Sequence, residues 1–278
     1  MSFPNSPLCR LIHSTPGAGY QELFRPGEHG LAWLGLALLR LAPDEVWRAE
    51  SGDKESALVV LGGQCRVTIG ACQWEDVGSR ADVFSGPATA LYVPRRSAVE
   101  ITAASPLEIA HIFAPGDADL PPALVTPAEV RVASSGAANW QREVRLIFPP
   151  GSAISQRLII GETLNPPGNW SGIPPHKHDG LSATENRLEE FYLFQVRPKD
   201  GFAVQLSYAG QRQETLVVRD GDAVLLLNGY HPTVATPGAT VCYLWALAGE
   251  RKTYHISTDP RFSWVGAAES AINAKPRS

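Results

Sequence analysis

Three histidines and a glutamate in the second half of the sequence have the residue types and spacing of a metal site. His176 and His178 are two residues apart, so a β-strand would turn both imidazoles to one face. Glu190 opens a stretch in which Tyr192 shares its face, and His231 follows a turn two residues after a glycine. Three imidazole nitrogens and one carboxylate oxygen suit a divalent transition metal. Zinc is favoured, and manganese, iron, nickel and cobalt are alternatives.

The context of these residues argues against a chance arrangement. An isolated H-x-H pair is often only part of a surface strand, but Pro174 and Pro175 stiffen the chain before this one. Glu189 competes with Glu190 as the ligand, and alternation with Tyr192 favours Glu190 and leaves Glu189 at the strand entrance. The remaining histidines lack such a context and are predicted to be surface or core residues: His13, His29, His111 and His255.

The elements that carry these side chains are predicted to be short strands. The 278 residues include 25 Gly and 23 Pro, which interrupt helices and favour strands joined by turns. No stretch has a sustained helical period. Strands are predicted at residues 31–41, 57–69, 90–93, 99–102 and 107–113, and again at 145–148, 157–162, 190–195, 203–208, 214–218, 223–227, 233–235 and 240–246. The sequence therefore predicts an all-β sandwich or barrel.

A weak internal repeat divides the chain into two β units. The turn, strand and loop order of residues 215–235 is also found at 80–102, and a connector rich in Pro, Ala, Ser and Gly covers 115–140. We predict one domain at 1–130 and a second at 131–278. Where the second unit has its G-x-H histidine, the first has Arg95, Arg96 and Ser97. The first unit is therefore predicted to lack metal ligands and to be structural.

Charge and cysteine content exclude several functional classes. The formal net charge is −4 with no basic run, which argues against a nucleic-acid partner. The longest apolar run near the start, 31–41, contains Arg40 and is shorter than the roughly 20 residues of a membrane-spanning helix. The 4 cysteines include no C-x-x-C pair. With no signal peptide evident at the N-terminus, we expect a reduced, cytoplasmic protein that binds no membrane.

Four segments resemble a known enzyme family. The order H-x-H, Glu, G-D and G-x-H is the two-part cupin motif. The strings GNWSGIPPHKHD (168–179), ENRLEEFYLF (185–194), VVRDGDAVLL (217–226) and GYHPTVATPG (229–238) closely resemble 5-deoxy-glucuronate isomerases. That family is similar to the 5-keto-4-deoxyuronate isomerases, and both are bicupins. The resemblance implies two jelly-roll β-barrels in one chain, with the metal site in the second.

The resemblance also implies a reaction. Its members are metal-dependent aldose–ketose isomerases of carbohydrate metabolism, acting on a deoxyuronate. The expected step converts 5-deoxy-D-glucuronate to 5-dehydro-2-deoxy-D-gluconate in myo-inositol catabolism. The metal would act as a Lewis acid, and no hydride cofactor is needed. The expected partner is a small sugar acid, and a homodimer is left open. Two alternatives remain, namely a metal-dependent cupin dioxygenase and a non-catalytic sugar-binding cupin.

Further residues are candidates for contact with the substrate. Tyr192, Gln205 and Tyr230 are predicted to touch its oxygens. Arg142 and Arg187 are predicted to bind its carboxylate, because arginine binds carboxylates in a bidentate manner.

The sequence departs from the family pattern at three positions near these candidates. Leu206 stands where the family usually has Arg, Trp245 where it has Asn, and Asn228 where it has an acidic residue. These departures leave the exact uronate open more than they affect the type of reaction.

Overall fold

A computed structural model describes residues 6–180 and 185–274, and strands dominate those residues. The strands up to residue 125 are β1 (Cys9–Ile12), β2 (Gly19–Phe24), β3 (Gly35–Leu41), β4 (Val46–Glu50), β5 (Lys54–Gly62), β6 (Cys65–Ile69), β7 (Cys72–Val77), β8 (Ala90–Val93), β9 (Ala98–Ala103), β10 (Leu107–Pro115) and β11 (Ala123–Val125). Those that follow are β12 (Arg131–Ser135), β13 (Arg142–Phe148), β14 (Ile159–Asn165), β15 (Trp170–Ser171), β16 (His176–Lys177), β17 (Glu189–Arg197), β18 (Ala203–Ala209), β19 (Arg212–Val218), β20 (Ala223–Leu226), β21 (Thr233–Ala235), β22 (Thr240–Ala248) and β23 (Ser257–Thr258). One α-helix is described, α1 (Val265–Asn273), with 3-10 turns at Val83–Ser85, Ala138–Trp140 and Pro260–Phe262.

The strands confirm the all-β prediction, with local differences. The stretch predicted as one strand at 57–69 is two, because the chain passes from the larger sheet to the smaller one between β5 and β6. Gly63 has φ +96°, and a Cβ there would lie 2.2 Å from the Pro106 carbonyl oxygen, so this crossing requires glycine. Helix α1 was not predicted. Among the described residues, no helix has the length and apolar content needed to cross a membrane.

Two antiparallel sheets form the first sandwich. The larger has the order β11-β8-β5-β10-β3-β2 and the smaller has the order β4-β9-β6-β7. Alternate residues of each strand point inward, as the period of a half-buried strand requires. They form a fully buried core that includes Leu39, Val60, Val67, Ile101 and Ile109.

The second sandwich repeats this arrangement and carries the histidines. Its larger sheet has the order β1-β20-β17-β22-β14-β13-β12, and its smaller sheet has the order β15-β21-β18-β19. Phe194, Val218 and Val241 are fully buried between them. A short sheet of β16 and β23 lies beside this sandwich and holds the H-x-H segment.

The larger sheets of the two sandwiches pack against each other. Apolar side chains from both, including Leu36, Val59 and Phe191, form one continuous buried cluster. Arg80 of the first half forms a buried ion pair with Glu162 of the second at 2.5 Å. The first half therefore supports the larger sheet of the second from behind.

One edge strand crosses between the halves. The first strand, β1, pairs with β20 of the second sandwich, whereas β11 pairs with β8 of its own half. β12 begins at Arg131, and the division at residues 130 and 131 stays a prediction. The sheets depart from that division in β1, which lies within 1–130 but completes the sheet of the second half.

Two buried glutamates, Glu55 and Glu189, link the two halves. Glu55, at 1% exposure, accepts hydrogen bonds from the backbone amides of residues 156–158 at 2.7 to 3.1 Å. Glu189, at 8% exposure, accepts them from the amides of residues 32–34 at 2.5 to 3.1 Å. Each half thus inserts one carboxylate into a loop of the other, and Glu189 is fully engaged away from the histidines.

Candidate metal centre and substrate cavity

His178, Glu190 and His231 form a buried group at one end of the second sandwich. Their ligand atoms all lie within 4.8 Å of one another, and the three side chains are buried. Glu190 Oε2 lies 2.9 Å from His178 Nε2 and 3.3 Å from His231 Nε2. Within the described residues, this is the group of such side chains compact enough to hold a metal ion.

In His178 and His231, a hydrogen bond at Nδ1 fixes the direction in which Nε2 points. His178 Nδ1 lies 2.9 Å from the Leu188 carbonyl oxygen, and His231 Nδ1 lies 3.0 Å from the Gly229 carbonyl oxygen. Because a carbonyl can only accept, each Nδ1 carries a proton and donates it, which leaves Nε2 aimed at Glu190. This pattern, an imidazole held through its far N–H, is typical of metal ligands.

One buried atom is left without a partner. His231 Nε2 has no hydrogen-bond partner although it is inaccessible to solvent. A buried polar atom without a partner is costly, so the site favours a cation between the two imidazoles and the carboxylate. The nitrogen and oxygen donor set fits a divalent transition metal, as the sequence predicted.

His176 faces the same centre from β16. Its ring centroid lies 4.8 Å from that of His231 and 6.4 Å from that of His178. It stands somewhat apart from the three-residue group, on the side of the neighbouring cavity. Burial, together with the nearby His231, lowers its pKa to about 3, so the imidazole is neutral and keeps a lone pair for a ligand.

The pKa values of the central pair show opposite shifts. Burial alone would raise the pKa of Glu190, but the His178 and His231 imidazoles close to its carboxylate outweigh burial and lower that pKa to about 2. Burial likewise opposes a charge on His178, yet its hydrogen bond to Glu190 and the carboxylate charge raise its pKa. The carboxylate is therefore ionised and attracts positive charge into the centre.

A cavity of about 300 Å³ opens beside the four side chains. His176, Glu190 and Tyr192 line it at the centre, and Arg142 from β13 lines it at the edge. An apolar strip on the larger sheet completes one wall and consists of Val144, Leu146, Ile159 and Leu247. The cavity thus combines ionic, hydroxyl and apolar surfaces, as a site for a small polar molecule requires.

The predicted substrate residues divide into two groups. Tyr192 and Arg142 line the cavity, whereas Gln205, Tyr230 and Arg187 are not among its lining residues. Gln205 lies behind His231 and donates from Nε2 to its carbonyl oxygen at 3.1 Å. Tyr230 pairs through its backbone with β18, and Arg187 is exposed beside a separate cavity.

Two tyrosines that line the cavity, Tyr243 and Tyr254, were not predicted from the sequence. Tyr243 shares a hydrogen bond with Ser171, and Trp245 Nε1 donates to Thr163 Oγ1 at 3.1 Å. The alternation of Tyr243 with Trp245 along β22 was a signal that could have assigned Tyr243 to the inner face. Tyr254 also lines the cavity, from a segment without regular structure that carries no such signal.

The three departures from the family pattern have different surroundings. Trp245 lines the cavity. Leu206 donates its backbone amide to the Pro232 carbonyl oxygen, and Asn228 donates its own to the Leu8 carbonyl oxygen. Neither of these two lines the cavity, so of the three only Trp245 is placed to contact a substrate there.

Comparison with known proteins places the chain among characterised relatives. Residues 16–265 match the KduI/IolB family. The chain is 37% identical over 277 residues to a 5-deoxy-glucuronate isomerase of Geobacillus kaustophilus, covering 97% of this chain and 99% of the relative. It is 30% identical over 256 residues to a 5-deoxy-glucuronate isomerase of Listeria monocytogenes, covering 90% and 93% of the two chains.

Solved structures confirm the fold. An IolB-like protein of Salmonella typhimurium superposes with a TM-score of 0.88 at 29% identity, covering 92% of this chain and 98% of that one. An oxalate decarboxylase of Lactobacillus farciminis gives a TM-score of 0.64 at 12% identity, covering 98% of this chain and 97% of that one, a likeness of fold alone. The predicted all-β fold of two cupin barrels is thereby confirmed.

Proposed function

The chain belongs to the KduI/IolB family and is an isomerase, and from this premise we propose that it converts 5-deoxy-D-glucuronate to 5-dehydro-2-deoxy-D-gluconate with the help of a divalent metal. Membership confirms the family resemblance seen in the sequence. The observation that carries the proposal is the buried donor set of two histidines and a glutamate, with an unpartnered Nε2, beside a cavity that also holds an arginine.

The ligands proposed are His176, His178, Glu190 and His231. Three imidazole nitrogens and one ionised carboxylate favour zinc, with manganese, iron, nickel or cobalt as alternatives. When bound, such a metal supplies a Lewis acid that polarises the substrate carbonyl and stabilises the negative charge that develops when a proton leaves the adjacent carbon.

The protein's own residues bind and orient the sugar acid. Arg142 is half-buried at the cavity edge and is proposed to bind the substrate carboxylate. Burial raises the pKa of Tyr192 well above its ordinary value and also raises that of Tyr243. Both phenols therefore keep their protons at neutral pH and donate hydrogen bonds to substrate oxygens.

The isomerisation moves hydrogen without any external oxidant or reductant. One proton leaves C2 and one is added at C1, while the proton of the C2 hydroxyl is lost and the former carbonyl oxygen at C1 gains one. The neutral phenol of Tyr192, beside Glu190 on the inner face of β17, is placed to hold a proton near these oxygens. The buried surroundings exclude water that would otherwise compete for the charged species.

The substrate is proposed to be encountered in the cytoplasm. The described cysteines are all free, with Cys9, Cys65 and Cys242 buried and Cys72 exposed, which suits a reducing compartment.

The test follows the reaction in deuterated water. Protein stripped of metal and reloaded with zinc or manganese is incubated with 5-deoxy-D-glucuronate, and proton NMR should show loss of the aldehyde signal and deuterium at C1. His176→Ala and His231→Ala should abolish conversion, and His29→Ala, at an exposed histidine, should not. No conversion by loaded protein would refute the proposal, and oxygen consumption with the substrate would favour a dioxygenase.

A further inference from the structure

Two separate chain segments supply the histidines, and the contacts between those segments lie on the side away from the cavity. The first segment carries His176 and His178, and the second carries His231. Because no covalent link fixes one to the other, their relative position depends on the non-covalent contacts that join them. The inference below rests on the proposed function, since it concerns the same metal centre.

Asp179 makes the first of two contacts between the H-x-H segment and the segment that carries His231. Alternation along the segment turns Lys177 and Asp179 away from the two histidines, and the Asp179 side chain is 5% exposed. Its Oδ2 accepts a hydrogen bond from the Gly229 backbone amide at 3.0 Å, and its Oδ1 accepts one from Lys177 Nζ at 2.7 Å. The carbonyl of the same Gly229 orients the His231 ring through Nδ1. Asp179 therefore fixes the residue that directs His231.

The second contact joins Tyr208 to Asp259. Tyr208 exchanges two backbone hydrogen bonds with Tyr230, each at 2.9 Å, and its hydroxyl donates to Asp259 Oδ2 at 2.7 Å. The Asp259 amide donates to the Pro175 carbonyl oxygen at 2.8 Å, immediately before His176. One tyrosine thus connects the neighbour of His231 to the neighbour of His176.

Packing leaves this connection little freedom. The Asp259 carboxylate is 2% exposed and also accepts from Arg261 Nη2 at 2.7 Å. Asp259 directly follows β23, which pairs with β16 so that Thr258 lies opposite His176. Gly229 has φ +80°, and a Cβ there would lie 2.4 Å from the Tyr208 carbonyl oxygen. The two segments therefore approach as closely as glycine allows.

We propose that Asp179 and the Tyr208–Asp259 pair are positioning residues that hold His231 against the H-x-H segment and so set the affinity for the metal. None of the three lines the cavity. Residues that orient ligands commonly control metal affinity, because a preorganised site pays no cost for assembling its ligands when the metal binds.

The test compares two variants with a matched control. Tyr208→Phe removes only the hydroxyl that reaches Asp259, and Asp179→Asn keeps the side-chain shape but removes the charge. The control is Tyr20→Phe, which removes the hydroxyl of an exposed tyrosine in the first sandwich. Metal dissociation constants are measured by competition with a chelator, together with the absorption spectrum of the cobalt-loaded protein and the unfolding temperature without metal.

We expect both variants to bind metal about 10- to 100-fold more weakly and to shift the cobalt bands, as changes behind a ligand typically do. The metal-free unfolding temperature should change little, and the control should bind like the parent. Parent-like affinity in both variants would overturn the inference, as would a loss that merely follows lower metal-free stability. If the parent itself binds no metal, the proposed function fails as well, so the two failures are distinguishable.

Discussion

Adjacent glutamates should separate stability from metal binding. Glu189 and Glu190 are neighbours in β17, but they face opposite sides of the sheet and have different partners. Replacing each by glutamine keeps the size of the side chain and removes its charge. Glu189→Gln should destabilise the fold and leave metal affinity unchanged, whereas Glu190→Gln should strongly weaken metal binding.

The size of the Glu189 effect follows from its hydrogen bonds. Both carboxylate oxygens are used, one by the amide of Ala32 at 2.5 Å and the other by the amides of Trp33 and Leu34 at 2.8 and 3.1 Å. A glutamine offers one acceptor and turns an NH₂ group toward the remaining amide. A hydrogen bond to a charged group contributes about 1.5–3 kcal/mol to stability, and the substitution should remove one of them.

Part of this loss is offset. Burial raises the pKa of Glu189 despite the three amides, so its charge carries a desolvation cost that glutamine does not. We therefore expect a net destabilisation of about 2 kcal/mol, close to the lower range for one charged hydrogen bond. For a chain of this length, that lowers the unfolding temperature by about 4 °C.

The assay measures both properties on all three proteins. Urea unfolding and calorimetry of the metal-free forms give stability, and chelator competition gives metal affinity. Glu190→Gln should lose most of its metal affinity, because the ionised carboxylate of the donor set is gone. A Glu189→Gln protein that is as stable as the parent, or that loses metal as Glu190→Gln does, would refute the separation of roles.

Three further predictions concern the cavity and the first sandwich. Arg142→Ala should lower kcat/KM for the uronate by about 10- to 100-fold, because a charged hydrogen bond to the substrate is lost. Arg187→Ala should leave kcat/KM unchanged. Equal effects of the two substitutions in steady-state kinetics would contradict the assignment of Arg142 to the substrate carboxylate. Val144→Thr should reduce the preference for a deoxyuronate over glucuronate by about 10-fold, because it puts a hydroxyl into the apolar strip, and the exposed Val217→Thr should leave that ratio unchanged. Burial lowers the pKa of His111 to about 4. As the pH falls, the unfolded chain therefore binds a proton at this histidine at a higher pH than the folded chain does. The free energy of unfolding should fall by about 3 kcal/mol between pH about 6.5 and about 4. His111→Gln should flatten this dependence in urea titrations, and an unchanged slope would count against it.

Local patterns predicted the parts of the site that lie on regular strands. Alternation placed Tyr192 on the face of Glu190 and left Glu189 at the strand entrance; in the structure Tyr192 lies in the core of the second sandwich and Glu189 contacts a loop of the first half. The same reasoning placed His176 and His178 together, since Lys177 and Asp179 are turned away from the two imidazoles. Period-two patterning is set by each strand alone, so it can be read without knowing its partners.

Other features depend on contacts between distant residues. Gln205 was predicted to meet the substrate, but its amide is used by backbone carbonyls near His231. Tyr254 lines the cavity although its segment has no repeating pattern. The pairing of β1 with β20 joins residues more than 200 positions apart, as in Cys9 with Leu226. Such features follow from tertiary packing, and no local propensity encodes them.

The pairing of β1 with the sheet of the second half makes that sheet a tethered equivalent of one unit in a strand-swapped dimer. In a true dimer of that kind, each unit would borrow its edge strand from a second molecule, and stability would rise with protein concentration. Here the connection between the halves supplies the strand at a fixed effective concentration, so folding is unimolecular. The borrowed β1 also covers the outer edge of β20, which would otherwise be a template for pairing with other chains. The sheet that carries Glu190 is thus completed without a strand from a second molecule.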